Sequence, residues 1–251
     1  MSPHLPSDPY ADFAGWYHWL LTDRELAEGA LGPAANATLD AMPVGSRIHD
    51  AACGIGVDAL ALCQRGFRTS GSDISRSMIA EAERRTAASD CHVPFSVAGW
   101  DTLGDLLTAP VAAVLCTGNS LAQVRSDDDL TVVLGGLRDA LQPAGLVIVD
   151  AGDYPAVAGE FEPDVRVVHR SGQRALVSRR WRIRSSIEDP QVLDISIETG
   201  SGPQRVEQLI RLWPRSTREL ELLLRGVGLV PEVMADDAAL GRHTIVARRQ
   251  G

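Results

Sequence analysis

A glycine-rich turn between two aspartates is the part of the sequence with the clearest chemical meaning. The residues run Asp50-Ala-Ala-Cys-Gly54-Ile-Gly56-Val-Asp-Ala59, and Asp73 follows 23 residues after Asp50. Glycines at positions 54 and 56 let the backbone turn sharply and approach a ligand, and Ala59 permits a helix to pack close to a strand. Asp73 has the spacing at which an acidic side chain meets the two hydroxyls of a ribose. The pattern predicts a site for a nucleoside-containing cofactor.

Two kinds of cofactor fit this pattern. One is a nicotinamide or flavin dinucleotide, which would make the chain an NAD(P)-dependent or flavin oxidoreductase. The other is S-adenosylmethionine, the cofactor of methyltransferases. A carboxylate at Asp50 would repel a nearby pyrophosphate, whereas it would attract the ammonium and sulfonium groups of S-adenosylmethionine. The charge therefore favours the methyl donor, and a non-catalytic protein that keeps the nucleoside pocket is a further alternative.

Several motifs resemble those of a known enzyme family. The segment Asp50 to Gly56, together with Gly71-Ser-Asp-Ile-Ser and Met78, resembles class I S-adenosylmethionine-dependent methyltransferases. The segments Cys116-Thr-Gly-Asn-Ser-Leu-Ala-Gln and Val149-Asp-Ala-Gly-Asp-Tyr resemble the glycine and sarcosine N-methyltransferase branch. The resemblance implies a Rossmann-like fold with a mostly parallel seven-stranded sheet, S-adenosyl-L-methionine as cofactor and S-adenosyl-L-homocysteine as product.

The resemblance also implies roles for individual residues. The two glycines would contact the methionine part, Asp73 the ribose, Ile74 and Met78 the adenine, and Asp101 the exocyclic amine. The full predicted cofactor set is Asp50, Ala51, Gly54, Gly56, Asp73, Ile74, Met78, Gly99, Trp100, Asp101, Cys116, Thr117 and Ser120. Three of these have plainer alternatives, since Met78 can fill the core, Trp100 can serve packing and Asp101 can cap a helix.

The chain also departs from the glycine-methylating enzymes. Ala151-Gly152-Asp153-Tyr154 stands where those enzymes have a His-Arg-Asn-Tyr segment whose arginine binds the substrate carboxylate. Gln123 stands where a histidine is expected, and the amino-terminal arginine that binds the cofactor carboxylate has no obvious counterpart. Glycine is therefore not the expected substrate.

Aromatic and polar residues outside the turn suggest an acceptor site for a small molecule. The opening segment Tyr10 to Trp19 resembles the aromatic helix that covers the cofactor in small-molecule methyltransferases, although it would equally serve as an amphipathic helix packed into the core. We expect a planar, nitrogen-containing small molecule of specialised metabolism. His18, Tyr17 and Asp153 are the predicted catalytic residues, and the predicted substrate contacts are Tyr10, Trp16, Asn119, Tyr154, Trp181 and Trp213. O-methylation of a small molecule is the alternative, but it would need a base or a metal, and the six dispersed histidines predict no metal site.

Alternating strand and helix signals must position these residues. The order strand, glycine turn, helix, strand and serine-capped helix over Arg47 to Ala88 predicts α/β architecture, and apolar runs such as Val111 to Cys116 predict parallel strands covered on both faces. From Phe161 to Trp213 the period changes to that of antiparallel strands. We expect a helical lid over residues 1–45, a cofactor-binding core over 46–158 and 214–251, and an antiparallel insertion over 159–213 above the substrate site.

The composition excludes some partners. The 251 residues carry a formal charge of -9, which argues against a nucleic-acid partner. The sequence contains no lysine, which excludes Schiff-base chemistry and a phosphate-loop lysine. The sequence has no apolar run long enough for a membrane span, and the four scattered cysteines favour a reduced, cytoplasmic compartment. We expect a small-molecule substrate, no nucleic acid, no membrane, and a monomer or homodimer.

Overall fold

The computed structural model describes residues 8–152, 159–183, 189–200, 204–237 and 241–250. Within these ranges the strands form two sheets, one of seven strands and one of five. In chain order the strands are β1 (Arg47–Asp50), β2 (Arg68–Asp73), β3 (Phe95–Val97), β4 (Val111–Cys116), β5 (Leu141–Gly152), β6 (Gly159–Glu160), β7 (Asp164–Arg170), β8 (Gln173–Ile183), β9 (Gln191–Thr199), β10 (Gln204–Leu212), β11 (Leu229–Asp237) and β12 (Arg242–Arg249).

The larger sheet has the order β11-β12-β5-β4-β1-β2-β3. Strands β1 to β5 pair in parallel, whereas β12 runs antiparallel to β5 and β11 antiparallel to β12. The predicted mostly parallel sheet of seven strands is therefore confirmed. The chain order reverses between β1 and β4, and in open α/β sheets this reversal leaves a crevice beyond the carboxyl ends of the strands.

Helices cover both faces of this sheet, as predicted. They are α1 (Asp23–Glu28), α2 (Pro33–Asp40), α3 (Val57–Gln64), α4 (Arg76–Thr86), α5 (Leu103–Leu106), α6 (Asp127–Ala140) and α7 (Thr217–Gly226). Alternate residues of β4 face opposite sides, because Val114 packs in the cluster with α6 and α7 whereas Leu115 packs in the cluster with α2 and α3. Burial on both faces explains the continuous apolar runs of these strands.

The sequence predicts one amphipathic helix from Tyr10 to about Ala30, but the structure divides this opening segment into two helices. A 3-10 helix spans Ala14–Leu20, and α1 begins again at Asp23. Thr22 breaks the segment because its side chain accepts a hydrogen bond from the backbone of Glu25, while the carboxylate of Glu25 accepts one from the backbone of Thr22. Arg170 of β7 also binds the carbonyl oxygens of His18 and Leu21. The segment is thereby held against the smaller sheet.

The smaller sheet is antiparallel, with the order β10-β9-β8-β6 and with β7 also paired to β8. The alternation of the sequence predicted β8, β9 and β10. Its inner face holds Ala175, Val177, Ile195 and Ile197, which pack with Phe13 and other aromatic residues of the opening segment. This packing places the sheet above the carboxyl ends of the parallel strands.

None of the helices in the described ranges is long and apolar enough to cross a lipid bilayer.

Candidate functional site

A cavity of about 690 Å³ lies between the carboxyl ends of the parallel strands, the opening segment and the antiparallel sheet. Ligand pockets commonly have volumes of about 300–1,000 Å³, so this cavity is large enough for a small molecule. Its wall contains residues from the ends of β1, β2 and β5, from the loop that follows β4, and from β7 to β10. The two sheets therefore contribute opposite sides of one site.

The glycine turn is fixed to Asp73 by hydrogen bonds. The backbone nitrogen of Gly54 donates to Oδ2 of Asp73 at 2.9 Å, and that of Ser75 donates to Oδ1 at 2.9 Å. Gly54 has φ +51°, and a Cβ at this position would meet no atom within 4 Å. The turn is therefore open toward the cavity at Gly54, and its hydrogen bond to Asp73 keeps it next to the Asp73 carboxylate.

Gly56, the second glycine of the turn, lies in tight contact with neighbouring side chains. A Cβ on Gly56 would lie 2.9 Å from the side chains of both Ala82 and Phe95, and its φ of +75° is a left-handed conformation. The residue permits α3 to pack close to α4 and β3, and it is not part of the cavity wall. Close packing and the left-handed backbone therefore both require glycine at this position.

Four carboxylates line the core side of the cavity, on Asp50, Asp58, Asp73 and Asp150. Asp50 is 3% exposed, and its burial, together with the charge of Asp58, raises its pKa well above the usual range. Burial raises the pKa of Asp58 to about 6, and it also raises the pKa of Asp73. Closely spaced carboxylates in a region of low polarity favour a positively charged ligand, because the ligand relieves their mutual repulsion.

Asp150 is the best compensated of these carboxylates. Its oxygens accept hydrogen bonds from the backbone nitrogens of Gly118 (3.1 Å) and Asn119 (2.8 Å). Arg242, at the start of β12, donates from Nη1 to Oδ2 of Asp150 at 3.0 Å and also to the carbonyl oxygen of Ala30 at 3.2 Å. Arg242 lines the cavity, so one cation stands among the carboxylates.

Apolar residues form the wall beyond Asp73. Met78 is 2% exposed, whereas the side chain of Ile74 is 61% exposed although it is large and aliphatic. Ala98, Gly99 and Trp100 continue this wall on the far side of β3. An exposed aliphatic side chain beside a cavity offers a surface for a flat apolar group, such as a nucleobase.

Aromatic residues separate the core side from the antiparallel sheet. Tyr10 and Tyr17 line the cavity, and the hydroxyl of Tyr10 donates to Oε1 of Gln123 at 3.3 Å. Burial raises the pKa of Tyr10 to about 12 and raises the pKa of Tyr17 further. Both phenols therefore stay protonated at neutral pH.

Most of the sequence-predicted residues meet at this cavity. The predicted cofactor residues in the wall are Asp50, Ala51, Gly54, Asp73, Ile74, Met78, Gly99, Trp100, Thr117 and Ser120. The wall also contains Tyr17 of the predicted catalytic residues and Tyr10, Asn119 and Trp181 of the predicted substrate contacts. Asn119 has φ +66°, and its Oδ1 accepts a hydrogen bond from the backbone of Gly152 at 3.0 Å. Asp153 and Tyr154 lie outside the described residues.

Other predicted residues lie away from the wall. Cys116 is completely buried in the core, and Asp101 is exposed in a 3-10 helix (Trp100–Thr102). The ring of His18 packs on Trp19, with its Nδ1 3.0 Å from the carbonyl oxygen of Gly15. Trp16 packs in the cluster below the antiparallel sheet, and Trp213 follows the end of β10.

The sequence analysis missed the charged wall residues other than Asp50 and Asp73, which are Glu25, Asp58, Asp150, Asp164, Arg166, Arg179 and Arg242. Asp58 and Asp150 were inside the motifs that it quoted but received no role. Arg242 gave no local signal, because it reaches the site through the pairing of β12 with β5. In the described ranges there is no group of three or more His, Cys, Asp or Glu residues with the arrangement of a metal site.

Comparisons with known proteins agree with this geometry. Residues 48–145 match the family model described as a methyltransferase domain. The glycine N-methyltransferase of Mus musculus is 31% identical over 138 residues, which are 50% of this chain and 47% of that protein. The chain therefore spans about half the length of this relative.

Solved structures resemble the whole chain in fold. An S-adenosylmethionine-dependent methyltransferase from Clostridium acetobutylicum has a TM-score of 0.73 at 18% identity, covering 96% of this chain and 99% of that one. The S-adenosylmethionine-bound amino pentose methyltransferase of Micromonospora echinaspora has a TM-score of 0.71 at 17% identity, covering 86% and 89%. Residues 48–145 of the chain therefore match a methyltransferase domain, and the chain shares the fold of these solved methyltransferases.

Proposed function

We propose that this protein binds S-adenosylmethionine and transfers its methyl group to a nitrogen atom of a small molecule. The observation that carries the proposal is the set of four carboxylates around the glycine turn, with Arg242 among them. Such a wall attracts a ligand that is mostly cationic and opposes the pyrophosphate of a dinucleotide. It therefore disfavours the oxidoreductase alternative.

The residues of the wall match the parts of this cofactor. Asp73 would bind the ribose hydroxyls, and the apolar surface of Ile74 and Met78 would hold the adenine. Asp50 and Asp58 would face the ammonium group, and Arg242 would bind the carboxylate of the same amino-acid part. The cofactor supplies an activated methyl group, so the chain itself needs to align the acceptor and to exclude water.

The acceptor side supports nitrogen rather than oxygen as the methylated atom. A neutral amine attacks with its own lone pair, whereas an alcohol or a phenol needs a base to remove its proton. Tyr10 and Tyr17 have raised pKa values, so they orient an acceptor by hydrogen bonding and do not ionise it. The relative from Mus musculus is a glycine N-methyltransferase, which also supports nitrogen as the methylated atom.

We assign the opening segment as a lid over the cofactor and the antiparallel sheet as an insertion over the acceptor. The hydrogen bonds of Arg170 to the carbonyl oxygens of His18 and Leu21 join these two parts. They would close the site from two directions, and closure would keep water away from the transferred methyl group.

Calorimetry and product analysis test the proposal. S-adenosylhomocysteine should bind with a stoichiometry of about one, and NAD⁺ should give no binding heat. Isotopically labelled S-adenosylmethionine should then label nitrogen in a panel of amines, N-heterocycles, phenols and alcohols. Binding of NAD⁺ alone would reject the cofactor assignment, and label found only on oxygen or carbon would reject the nitrogen assignment.

A further inference from the structure

Two arginine side chains lie on the acceptor side of the cavity, on neighbouring strands of the antiparallel sheet. Asp164 of β7 pairs with Arg179 of β8, and Arg166 pairs with Val177. Arg166 and Arg179 are therefore diagonal neighbours on one face of the sheet, and both line the cavity. Like charges in this arrangement repel each other unless negative charge lies near both.

The two guanidinium groups are not equally compensated. Arg179 donates from Nη2 to Oδ2 of Asp164 at 2.8 Å. Arg166 makes no ion pair with a carboxylate of the described residues; it donates to the carbonyl oxygen of Leu20, and its Nε is buried without an acceptor. Burial, followed by the charge of Arg179, lowers the pKa of Arg166. A half-buried cation without a carboxylate partner favours an anionic ligand.

The other charged groups that act on Arg166 already have local partners. The carboxylate of Glu25 accepts hydrogen bonds from the backbone nitrogen and the hydroxyl of Thr22, each at 2.7 Å. Arg170 pairs with Asp23 at 2.9 Å. Among the arginines described around this corner of the cavity, Arg166 is therefore the one without a carboxylate as hydrogen-bond partner.

The same face of the sheet is apolar beyond the arginines. Trp181 follows Arg179 on β8, and Leu193 and Ile195 lie opposite them on β9. An indole ring and aliphatic side chains provide a surface for the flat, apolar body of a ligand. The acceptor side thus changes from charged to apolar across neighbouring strands.

We propose that the acceptor is an amine with an apolar body and an anionic group, a carboxylate or a phosphate, that binds between Arg166 and Arg179. Guanidinium groups bind both kinds of anion through paired hydrogen bonds. The four carboxylates on the core side would repel the anion, so the acceptor can enter with one orientation, in which its amine points toward the transferred methyl group. This inference rests on the proposed function, because it treats this side of the cavity as the acceptor subsite.

Simple probes test the anion subsite without knowledge of the natural acceptor. Protein saturated with S-adenosylhomocysteine is titrated calorimetrically with benzoate, phenyl phosphate and the neutral isostere benzamide. At least one of the two anions should bind about tenfold or more tightly than benzamide, as expected for charge-assisted hydrogen bonds. The tighter of the two anions tells whether a carboxylate or a phosphate is recognised.

Three variants separate this subsite from general electrostatic attraction. The preference for the anion should disappear in Arg166→Gln and fall in Arg179→Gln, and it should persist in Arg180→Gln, which changes the exposed neighbour on the outer face. Thermal unfolding confirms that each variant is folded. The proposal would be overturned if neither anion bound detectably, or if neither bound more tightly than benzamide. It would also be overturned if the preference for the anion survived in both cavity variants, or if Arg180→Gln lost it as well. Failure to bind S-adenosylhomocysteine would instead reject the proposed function.

Discussion

The guanidinium of Arg242 lies 3.0 Å from the carboxylate of Asp150, although 92 residues separate them in the chain. Asp150 is 5% exposed and also accepts two backbone hydrogen bonds, so its charge is well compensated without a ligand. Arg242 has five donors, and the hydrogen bonds to Asp150 and Ala30 both come from Nη1. The pairing therefore orients Arg242 toward the cavity and leaves further donors for the carboxylate of a bound cofactor.

Replacement of Arg242 should weaken binding of the amino-acid part of the cofactor. In Arg242→Gln we expect the affinity for S-adenosylhomocysteine to fall by about 1.5–3 kcal/mol, because a charge-assisted hydrogen bond is lost. Binding of 5′-methylthioadenosine, which has no amino-acid part, should change little. Calorimetric titration of both ligands measures the difference.

A matched variant lies on the same strand. Arg248→Gln removes an arginine of β12 that pairs with Glu232 away from the cavity, so it should leave both affinities unchanged. If Arg242→Gln weakened both ligands equally, the residue would support the site as a whole rather than bind the carboxylate.

Asp73 should matter more than Asp101, although the sequence analysis assigned both to the cofactor. Asp73 holds the glycine turn and lines the cavity, whereas Asp101 is exposed and outside the wall. Asp73→Asn should reduce the affinity for S-adenosylhomocysteine by about 1–3 kcal/mol through lost ribose and turn hydrogen bonds. Asp101→Asn should bind as the unchanged protein does. Equal losses in the two variants would restore the original assignment of Asp101.

Local patterns explain how much of the site could be predicted. The glycine turn, Asp73 and the Ser75 cap of α4 belong to one strand-turn-helix-strand stretch, so neighbouring residues carry the signal. Arg242 arrives from a distant antiparallel strand, for which the sequence shows only a short run of residues suited to a buried strand, Thr244 to Ala247. The break at Thr22 had a local signal, the Thr-x-x-Glu capping box, but the sequence analysis did not use it.

The stability of the ligand-free protein should depend on pH through Asp58. Burial raises its pKa to about 6, above the value of about 3.9 for an unfolded aspartate. Between these values the folded chain binds more protons than the unfolded chain, so Asp58 makes the free energy of unfolding fall as the pH rises through this interval. In Asp58→Asn, whose amide oxygen can still accept from the backbone of Ala30, this fall should be smaller.

Urea unfolding from pH 4 to pH 7 measures the Asp58 effect as a difference between variants, which cancels the contributions of other groups. Asp105→Asn changes an exposed carboxylate elsewhere and should follow the unchanged protein. If the free energy of unfolding depended on pH equally in Asp58→Asn and in the unchanged protein, the pKa of Asp58 would not be raised in the folded state. Burial would then destabilise the charged carboxylate less than its position indicates.

Asp8 should control how firmly the opening segment closes over the cofactor. Its carboxylate accepts hydrogen bonds from the hydroxyl of Ser75 at 2.6 Å, from the backbone of Ser77 at 2.8 Å and from that of Tyr10 at 3.0 Å. Although burial alone would raise its pKa, these bonds lower it to about 2. The contact therefore persists across the neutral range and is lost only as the pH falls from about 4 through 2.

Limited proteolysis at neutral pH tests the role of Asp8. Arg24 is exposed in α1, and trypsin can cut after it only when the segment opens locally. Asp8→Asn weakens the charge-assisted bonds to α4, so cleavage should be about three- to tenfold faster, which corresponds to the loss of roughly one hydrogen bond. Asp12→Asn makes the same change at a nearby exposed position and should leave the rate unaltered. Equal cleavage rates in the two variants would mean that Arg166 and Arg170, rather than Asp8, hold the segment in place.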